Sequence, residues 1–372
     1  MTNFVLNFYT KLPFTIYMDK KIALLLENGT TFRGYSFGYE APAAGEVVFS
    51  TAMVGYPESL TDPSYSGQIL TVTYPLVGNY GVPEDNIIDG LSEYFESEKI
   101  QVSGLIITEY SDKYSHWNAK KSLDDWLKEH KVPGIYGVDT RALTKIIREQ
   151  GSMKGKIVMD SPDEIDFIDP SLENQVAKVS CKEIIRYGKG SKTVVLVDCG
   201  VKHNIIRCLL KQDINLIRVP WDYDFNQLEY DGLFISNGPG DPKHCMITVE
   251  HIREAMNRNK PIFGICLGNQ LMGLADGAST YKLKYGHRSH NQPVHMAGTK
   301  KCFITSQNHG YVVDTDTISD DWEILFTNLN DGSNEGLRHK SKPWFSAQFH
   351  PEASSGPTDT EFMFEDFMRM MQ

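Results

Sequence analysis

The fold is decided by the stretch Pro261-Ile262-Phe263-Gly264-Ile265-Cys266-Leu267-Gly268-Asn269-Gln270, an apolar strand that ends on a cysteine and runs into helix-compatible residues. Such a strand-turn-helix elbow holds a nucleophile, and Gly264 and Gly268 leave room for close backbone approach. The elbow places Cys266 at a helix N-terminus, where the positive dipole favours the thiolate that attacks carbonyl carbon. The alternative is a small buried hydrophobic residue, as most free cysteines are.

The chain around this elbow alternates between strands and helices. The segments Thr193 to Val197, Gly232 to Ser236 and Pro261 to Cys266 are predicted strands, and Asn204 to Lys211 is a predicted helix. This alternation predicts an α/β fold with a parallel, doubly wound sheet, in which the carboxyl ends of the strands meet at one edge.

The first half follows a different pattern, with short apolar runs separated by turn signals. Helical periodicity is limited to Asp124 to His130 and to Thr140 to Gln150, with Asp139 as the expected cap. The first half is therefore predicted to be a strand-rich α+β domain. Prolines, acidic residues and glycines between Ser161 and Lys192 indicate a linker. We assign residues 18–165 to an amino-terminal domain, 166–192 to the linker and 193–372 to the doubly wound domain.

Length and composition limit the possible functions. A chain of 372 residues is long enough for two domains of roughly 150 to 200 residues. The net charge of −11 opposes binding to nucleic acid or an anionic membrane, and no apolar run is long enough to span a membrane. The stretch Met1 to Lys20 does not resemble a signal peptide, and residues 1–17 are expected to be an extension.

The six cysteines form no CxxC pair, so neither a zinc site nor a disulfide framework is expected, and a reducing cytoplasm fits this usage. Two motifs are dismissed by context. Gly34-Tyr35-Ser36-Phe37-Gly38 lacks the helix that should follow a serine elbow, and Gly188 to Thr193 lacks P-loop spacing. No ATP site is expected on this chain.

The proton shuttle that a thiolate needs is best supplied by His350, which follows the predicted strand Trp344 to Phe349. Glu352 lies two residues further on and can orient the imidazole and stabilise the imidazolium. A surface histidine beside a surface glutamate is the competing interpretation. The loop Ser236 to Pro242 emerges at the same sheet edge, where its backbone N–H groups and that of Leu267 can stabilise an oxyanion. Alone, this loop would be interpreted as a tight turn.

Together, Gly264 to Gln270, His350-Pro351-Glu352 and Ser236 to Pro242 resemble the class I, or triad, glutamine amidotransferases. In the first half, Gly45 to Phe49, Gly55 to Glu58, Thr61 to Tyr65 and Tyr74 to Asn79 resemble the amino-terminal domain of the carbamoyl-phosphate synthetase small subunit. The resemblance covers nearly all of residues 20 to 372.

The resemblance implies a nucleophile at Cys266, a general base and acid at His350 and an orienting carboxylate at Glu352. It also implies a set of residues that contact glutamine: Ser64, Gly238, Gly240, Leu267, Gln270, Asn308, Gly310 and Tyr311. Without it, Ser64 would be interpreted as a turn residue and Asn308 to Gly310 as a loop with a polar tip.

Three positions depart from the family pattern, namely Asn269, Tyr311 and Ser289. No catalytic group is lost at these positions, so we expect the three differences to affect the rate of the reaction and not its class. We expect Ser289 to lie in a loop facing the glutamine site.

The resemblance implies that the chain is an enzyme that releases ammonia from L-glutamine through a γ-glutamyl thioester. A large synthetase subunit would consume the ammonia, using ATP, bicarbonate and Mg, while this chain would carry no cofactor or metal. The first domain would dock that partner in a cytoplasmic heterodimer serving arginine or pyrimidine biosynthesis. Three alternatives remain: a glutaminase of another pathway, a regulatory pseudoenzyme, and a cysteine hydrolase unrelated to glutamine.

Overall fold

The computed structural model describes residues 20–372. The prediction that residues 1–17 are an extension lies outside the described residues. Among the helices of the described part, none is long and apolar enough to cross a membrane.

The first half forms a closed seven-stranded barrel with the strand order β1-β13-β3-β4-β9-β12-β2. Its strands and the short strands beside it are β1 Lys21–Leu26, β2 Thr31–Gly38, β3 Ala43–Ser50, β4 Gln68–Val72, β5 Leu76–Val77, β6 Val82–Pro83, β7 Ile87–Ile88, β8 Leu91–Ser92, β9 Gly104–Ile106, β10 Glu109–Tyr110, β11 Ala119–Lys121, β12 Pro133–Tyr136 and β13 Met153–Val158. The helices are α1 Tyr56–Thr61, α2 Leu123–Glu129 and α3 Thr140–Gln150. The prediction of a strand-rich first half is confirmed.

The helix α3 shows how the local sequence sets its own boundaries. The side chain of Asp139 accepts a hydrogen bond of 2.9 Å from the backbone N–H of Ala142, which confirms the predicted cap. Leu143 and Ile147 are fully buried on the face that packs against the barrel. Gly151 ends the helix with a positive φ of 100°, which glycine adopts without steric strain.

The second half forms a ten-stranded sheet with the order β14-β16-β15-β17-β18-β23-β22-β21-β19-β20. Its strands are β14 Ile185–Gly188, β15 Lys192–Asp198, β16 Ile214–Pro220, β17 Gly232–Ile235, β18 Ile262–Ile265, β19 Thr280–Met296, β20 Cys302–Val313, β21 Trp322–Asn328, β22 Asn334–His339 and β23 Trp344–Ala347. Its helices are α4 Gln175–Val179, α5 His203–Leu210, α6 Met246–Met256, α7 Leu267–Asp276 and α8 Phe362–Arg369.

Five neighbouring strands, β16, β15, β17, β18 and β23, run parallel, which confirms the predicted fold class. Alternate residues of β15 feed two separate cores, with Val194 and Leu196 on one face and Val195 and Val197 on the other. Helices α5 and α8 cover the first face, and α6 and α7 cover the second. Burial on both faces explains why these strands are continuous apolar runs.

Two segments differ from their predictions. The segment 166–192, expected to be a linker, contains α4 and the edge strand β14, which pairs with β16, and Gln175 and Val176 of α4 are buried. Ser289, expected in a loop, lies in the long strand β19, so that prediction was wrong. Asn308 to Gly310, which would be interpreted as a loop without the family resemblance, lie in its partner strand β20. Bulges in the β19–β20 register bend the ribbon, and polar side chains on its buried face hid the strand pattern.

Candidate active site

Cys266 lies on the predicted elbow, between the end of β18 and the start of α7. Its backbone has φ 54° and ψ −100°, a conformation that non-glycine residues rarely adopt, and its side chain is buried. Its backbone N–H is fixed by a hydrogen bond of 2.7 Å to the carbonyl of Ala347 on β23. The elbow therefore holds the thiol in a strained position at the carboxyl edge of the sheet.

The two glycines of the elbow are required by close packing. A Cβ on Gly268 would stand 2.3 Å from the carbonyl oxygen of Ile235, and one on Gly264 would stand 2.7 Å from the carbonyl carbon of Gly268. The N–H of Gly268 donates to the carbonyl of Ser236 at 3.1 Å. The absence of side chains here brings α7 against β17 and anchors the loop from Ser236 beside the thiol.

His350 and Glu352 form a buried pair beside the thiol. Nδ1 of His350 is 2.7 Å from Oε1 of Glu352, and the His350 N–H donates to the Ser306 carbonyl at 2.9 Å. Nε2 of His350 has no hydrogen-bond partner of ordinary length among the described residues. The Cys266 side chain lies close enough to help to raise the pKa of the imidazole, and its Sγ is 3.7 Å from the carbonyl oxygen of Asn308.

Lys202, which was not singled out from the sequence, is the third member of this charged group. Its Nζ lies 3.0 Å from the same Oε1 of Glu352, and both side chains are buried. Lys202 immediately precedes α5 and follows β15, so it emerges at the same sheet edge as Cys266. This position after a predicted strand is the sequence signal that could have identified Lys202. Its burial, which only the structure shows, explains the ion pair, since buried lysines are rarely left unpaired.

The charges of this group determine its protonation. Burial lowers the pKa of His350, but the Glu352 carboxylate outweighs burial and the opposing Lys202 charge and raises the pKa to about 10. Burial raises the pKa of Glu352, while Lys202 and His350 lower it to about 2. At neutral pH an imidazolium thus lies between a carboxylate and the thiol, and it carries the proton that a general acid needs.

Most of the predicted glutamine contacts surround one cavity beside Cys266. Those that line it are Ser64, Gly238, Gly240, Gln270, Asn308, Gly310 and Tyr311. Leu267 is buried beneath the loop, where its Cδ2 packs 2.8 Å from the position that a Cβ on Gly238 would take. Leu267 therefore can contribute its backbone N–H to this site but presents no side chain to the cavity. The roles of these residues in binding glutamine stay predictions.

Ser64 connects the two domains, and Asp62 holds it in place. Oδ1 of Asp62 accepts from the N–H of Ser64 at 2.9 Å, and Oδ2 accepts from Nδ2 of Asn308 at 2.9 Å. The hydroxyl of Ser64 in turn accepts from Nδ2 of Asn237 at 3.0 Å. Asp62 and Asn237 were missed from the sequence, although an aspartate before Pro63-Ser64 is a recognisable cap.

The residues that depart from the family pattern are held in polar contacts. Asn269 is fully buried and accepts a hydrogen bond of 2.7 Å from the Ser346 hydroxyl. Ser289 donates to the side chain of Asn291 at 2.9 Å. Burial and the neighbouring Asp241 carboxylate raise the pKa of the Tyr311 phenol in the cavity wall. The hydroxyl of Tyr311 is therefore a neutral donor.

Within residues 20–372, His287, His309 and Glu335 form the cluster whose donor atoms could meet at a metal ion. The Nδ2 atom of Asn328 contacts both Oε1 of Glu335, at 3.0 Å, and Nδ1 of His287, at 3.4 Å. A neutral donor thus already stands among these ligand atoms. Although burial opposes it, hydrogen bonds to Asp331 and Glu335 raise the pKa of His287 to about 9. Without a metal ion, the carboxylates of Asp331 and Glu335 balance the charge of a protonated His287 in this cluster.

The fold and the Cys266–His350–Glu352 triad define a triad-type amidotransferase domain, and residues 195–370 match the family model "Glutamine amidotransferase class-I". Residues 24–157 match the model "Carbamoyl-phosphate synthase small chain, CPSase domain". The chain therefore belongs to the carbamoyl-phosphate synthase small-chain family.

Curated relatives match along almost the whole chain. "Multifunctional protein pyr1-3" of Dictyostelium discoideum is 52% identical over 94% of this chain and 17% of its own length. "Multifunctional protein CAD" of Squalus acanthias is 52% identical over 93% of this chain and 16% of its own. "Carbamoyl-phosphate synthase [ammonia], mitochondrial" of Homo sapiens is 50% identical over 94% and 24%. The chain thus spans less than a quarter of the length of each of these relatives.

Proposed function

We propose that this chain hydrolyses L-glutamine at Cys266 and supplies the ammonia for carbamoyl phosphate synthesis. This is the glutaminase half-reaction of a glutamine-hydrolysing carbamoyl-phosphate synthase. The proposal is carried by one observation: a strained thiol on the elbow, beside a buried His350–Glu352 pair and a cavity lined by the predicted glutamine contacts.

The triad supports a two-step acyl transfer. The Cys266 thiolate attacks the side-chain amide carbon, and the imidazolium of His350 gives its proton to the departing nitrogen, so that the C–N bond breaks and ammonia leaves. Neutral His350 then takes a proton from water, which attacks the γ-glutamyl thioester and releases glutamate and the thiolate. The N–H of Leu267 and those of the Gly238 loop would stabilise the oxyanion in both steps, each being worth roughly 3 kcal/mol.

The ammonia would pass to a synthetase part that uses ATP, bicarbonate and Mg, either a separate large subunit or another region of the same polypeptide. We propose that the first domain docks this part, because it exposes large apolar side chains, including Met53 at 66% and Trp117 at 85%. No cofactor or metal on this chain is needed for the glutaminase step. We further propose that this chain works in the cytoplasm, as part of an enzyme of arginine or pyrimidine biosynthesis.

The test is glutamate release from L-glutamine by the protein with its synthetase part, compared with Cys266→Ala. We expect release that requires Cys266 and accelerates when the synthetase consumes ammonia. Carbamoyl phosphate synthesis from added ammonia should persist in Cys266→Ala, which controls for folding and docking. Equal glutamate release by both proteins would refute the assignment of the nucleophile.

A second candidate function follows from the human relative, whose name specifies ammonia. A chain of that kind would serve the synthetase without hydrolysing glutamine. The assembled triad favours hydrolysis, and the same assay separates the two candidates. No glutamate release, with ammonia-dependent synthesis intact, would identify a docking or regulatory role.

A further inference from the structure

Arg288 on β19 is a buried cation that has no carboxylate within ion-pair distance among the described residues. Its side chain is almost fully enclosed, with 6% of the residue exposed. Nη1 donates to the carbonyl of Tyr285 at 2.8 Å, whereas Nε is buried and bonds to nothing in the described part of the chain. A guanidinium stays charged at every physiological pH, and burying an unpaired charge is costly. A guanidinium in this state can pair with an anion supplied by a ligand.

The guanidinium faces the cavity that contains Cys266. The β19–β20 register pairs Arg288 with Asn308, so both side chains project from the same face of the ribbon as Gly310, two residues on. Nη2 lies 3.5 Å from the position that a Cβ on Gly310 would take. Because Gly310 has no side chain, the guanidinium of Arg288 is open to the cavity beside the backbone of β20.

The other charges in the cavity wall are already engaged or lie apart. Glu46 accepts hydrogen bonds from Lys282 at 2.7 Å, from Ser152 at 2.7 Å and from Gln68 at 2.9 Å. Burial raises the pKa of Glu46 and the charges of Lys282 and Arg288 lower it, but no oxygen of Glu46 lies within ion-pair distance of Arg288. Asp241 interacts with Tyr311 instead. Within the part of this wall that the structure describes, Arg288 is therefore the cation available to a ligand.

We propose that Arg288 binds the α-carboxylate of the glutamine substrate and determines its specificity for an α-amino acid. This inference rests on the proposed glutaminase function. With the carboxamide at Cys266, the α-carboxylate lies at the far end of the substrate, where a planar guanidinium can hold both oxygens. Binding would neutralise the buried charge, so the same arginine that costs stability in the free protein gives affinity for substrate.

The experiment compares two substrates in the complete protein with its synthetase part: L-glutamine and 4-aminobutanamide, which lacks the α-carboxylate. For Arg288→Gln we expect the KM for L-glutamine to rise by about 10- to 150-fold, the value of a charge-assisted hydrogen bond. The KM for 4-aminobutanamide should stay the same. If its turnover is too slow to measure a KM, its competitive inhibition constant against L-glutamine should stay the same instead. Arg288→Lys should recover part of the loss.

Lys282→Gln is the matched control, because it removes a positive charge from the same wall of the cavity. Glu46 already neutralises that charge in the folded protein. Its KM change should be much smaller than that of Arg288→Gln. An equal loss toward both substrates would show that Arg288 only supports the fold of β19, and an unchanged KM for glutamine would also overturn the inference. If wild-type protein releases no glutamate, the proposed function fails instead, so the two failures are distinct.

Discussion

At the residue scale, Glu352 is the group on which the protonation of the site depends. One carboxylate oxygen meets both the imidazole of His350 and the ammonium of Lys202. Two cations and one anion share a buried space, so each affects the proton affinity of the others. The imidazolium form of His350 therefore exists because Glu352 is ionised.

Replacing Glu352 by glutamine should lower the pKa of His350 from about 10, because the attraction that opposes burial is lost. In the proposed mechanism protonated His350 releases ammonia, so the alkaline limb of the glutaminase pH profile should move to lower pH, and kcat should fall on the order of a hundred- to ten-thousand-fold. Glutamate release measured between pH 6 and 10.5 tests both effects. An unchanged alkaline limb would contradict them, and Glu323→Gln, at an exposed ion pair with Arg338, is the control.

The same pair should make stability depend on pH in a definite direction. The raised pKa of His350 contributes stability below its ordinary value of 6.5, and this is lost as pH rises toward about 10. The lowered pKa of Glu352 contributes stability above its ordinary value of 4.5, and this is lost as pH falls toward about 2. The stability advantage of the wild-type protein over Glu352→Gln, measured by urea unfolding, should thus be largest between pH 4.5 and pH 6.5. A constant difference across this range would contradict the assignment.

At the scale of elements, the contact between α7 and β17 determines where the nucleophile lies. Cys266 can remain at positive φ only because the strand before it and the helix after it are packed without side chains at Gly264 and Gly268. The elbow is thus a property of two elements together rather than of the cysteine.

Alanine at Gly268 should destabilise the protein, although alanine normally stabilises a helix by about 1 kcal/mol relative to glycine. Its methyl group would stand 2.3 Å from the backbone oxygen of Ile235, so α7 must move away from β17. We expect a loss of about 1–3 kcal/mol of unfolding free energy, together with a lower kcat, from denaturant and kinetic measurements.

Gly273→Ala on the same helix is the control for this substitution. Its methyl group meets the side chain of Val313 at 3.0 Å, which can shift more easily than a backbone carbonyl. It should therefore cost less stability and leave the position of Cys266 unchanged. Equal effects at Gly268 and Gly273 would show that the contact with β17 does not position the elbow.

At the scale of the whole molecule, the active site is completed by contacts between the domains. Glu96, fully buried in the first domain, accepts from the N–H of Asn204 at 3.1 Å and pairs with Arg207 at 3.0 Å, both on α5. Helix α5 directly follows Lys202, so the first domain supports the residue that contacts Glu352. If the synthetase part docks at the first domain as proposed, its docking would therefore reach the triad through α5.

Breaking this interface contact should be costly. Glu96→Gln removes the charge that faces Arg207 and should lower the unfolding free energy by about 1–3 kcal/mol. Glu361→Gln is the matched control, because Glu361 pairs with Lys211 just beyond the same helix but in solvent, and it should cost under about 1 kcal/mol. Urea unfolding of both variants gives the comparison, and similar losses would argue against a specific role for the interface.

The sequence by itself determined the doubly wound second half, the strand-rich first half and the elbow at Cys266. These follow from local signals, because the order of strand, glycine and helix is written in consecutive residues. The proximity of His350 and Glu352 also follows locally, since they lie two residues apart. The strands carrying Ser289 and Asn308 were missed, because their buried polar side chains break the apolar alternation from which a strand is recognised.

Only the tertiary structure decided which residues support the site. Lys202 and Glu352 are separated by 150 positions, and Asp62 and Asn308 by 246, so no local pattern connects them. Arg288 is ordinary in the sequence and becomes significant because folding buries it without a carboxylate partner in the described part of the chain. Burial and pairing are properties of the packed molecule, and they turn an unremarkable charged residue into a binding group.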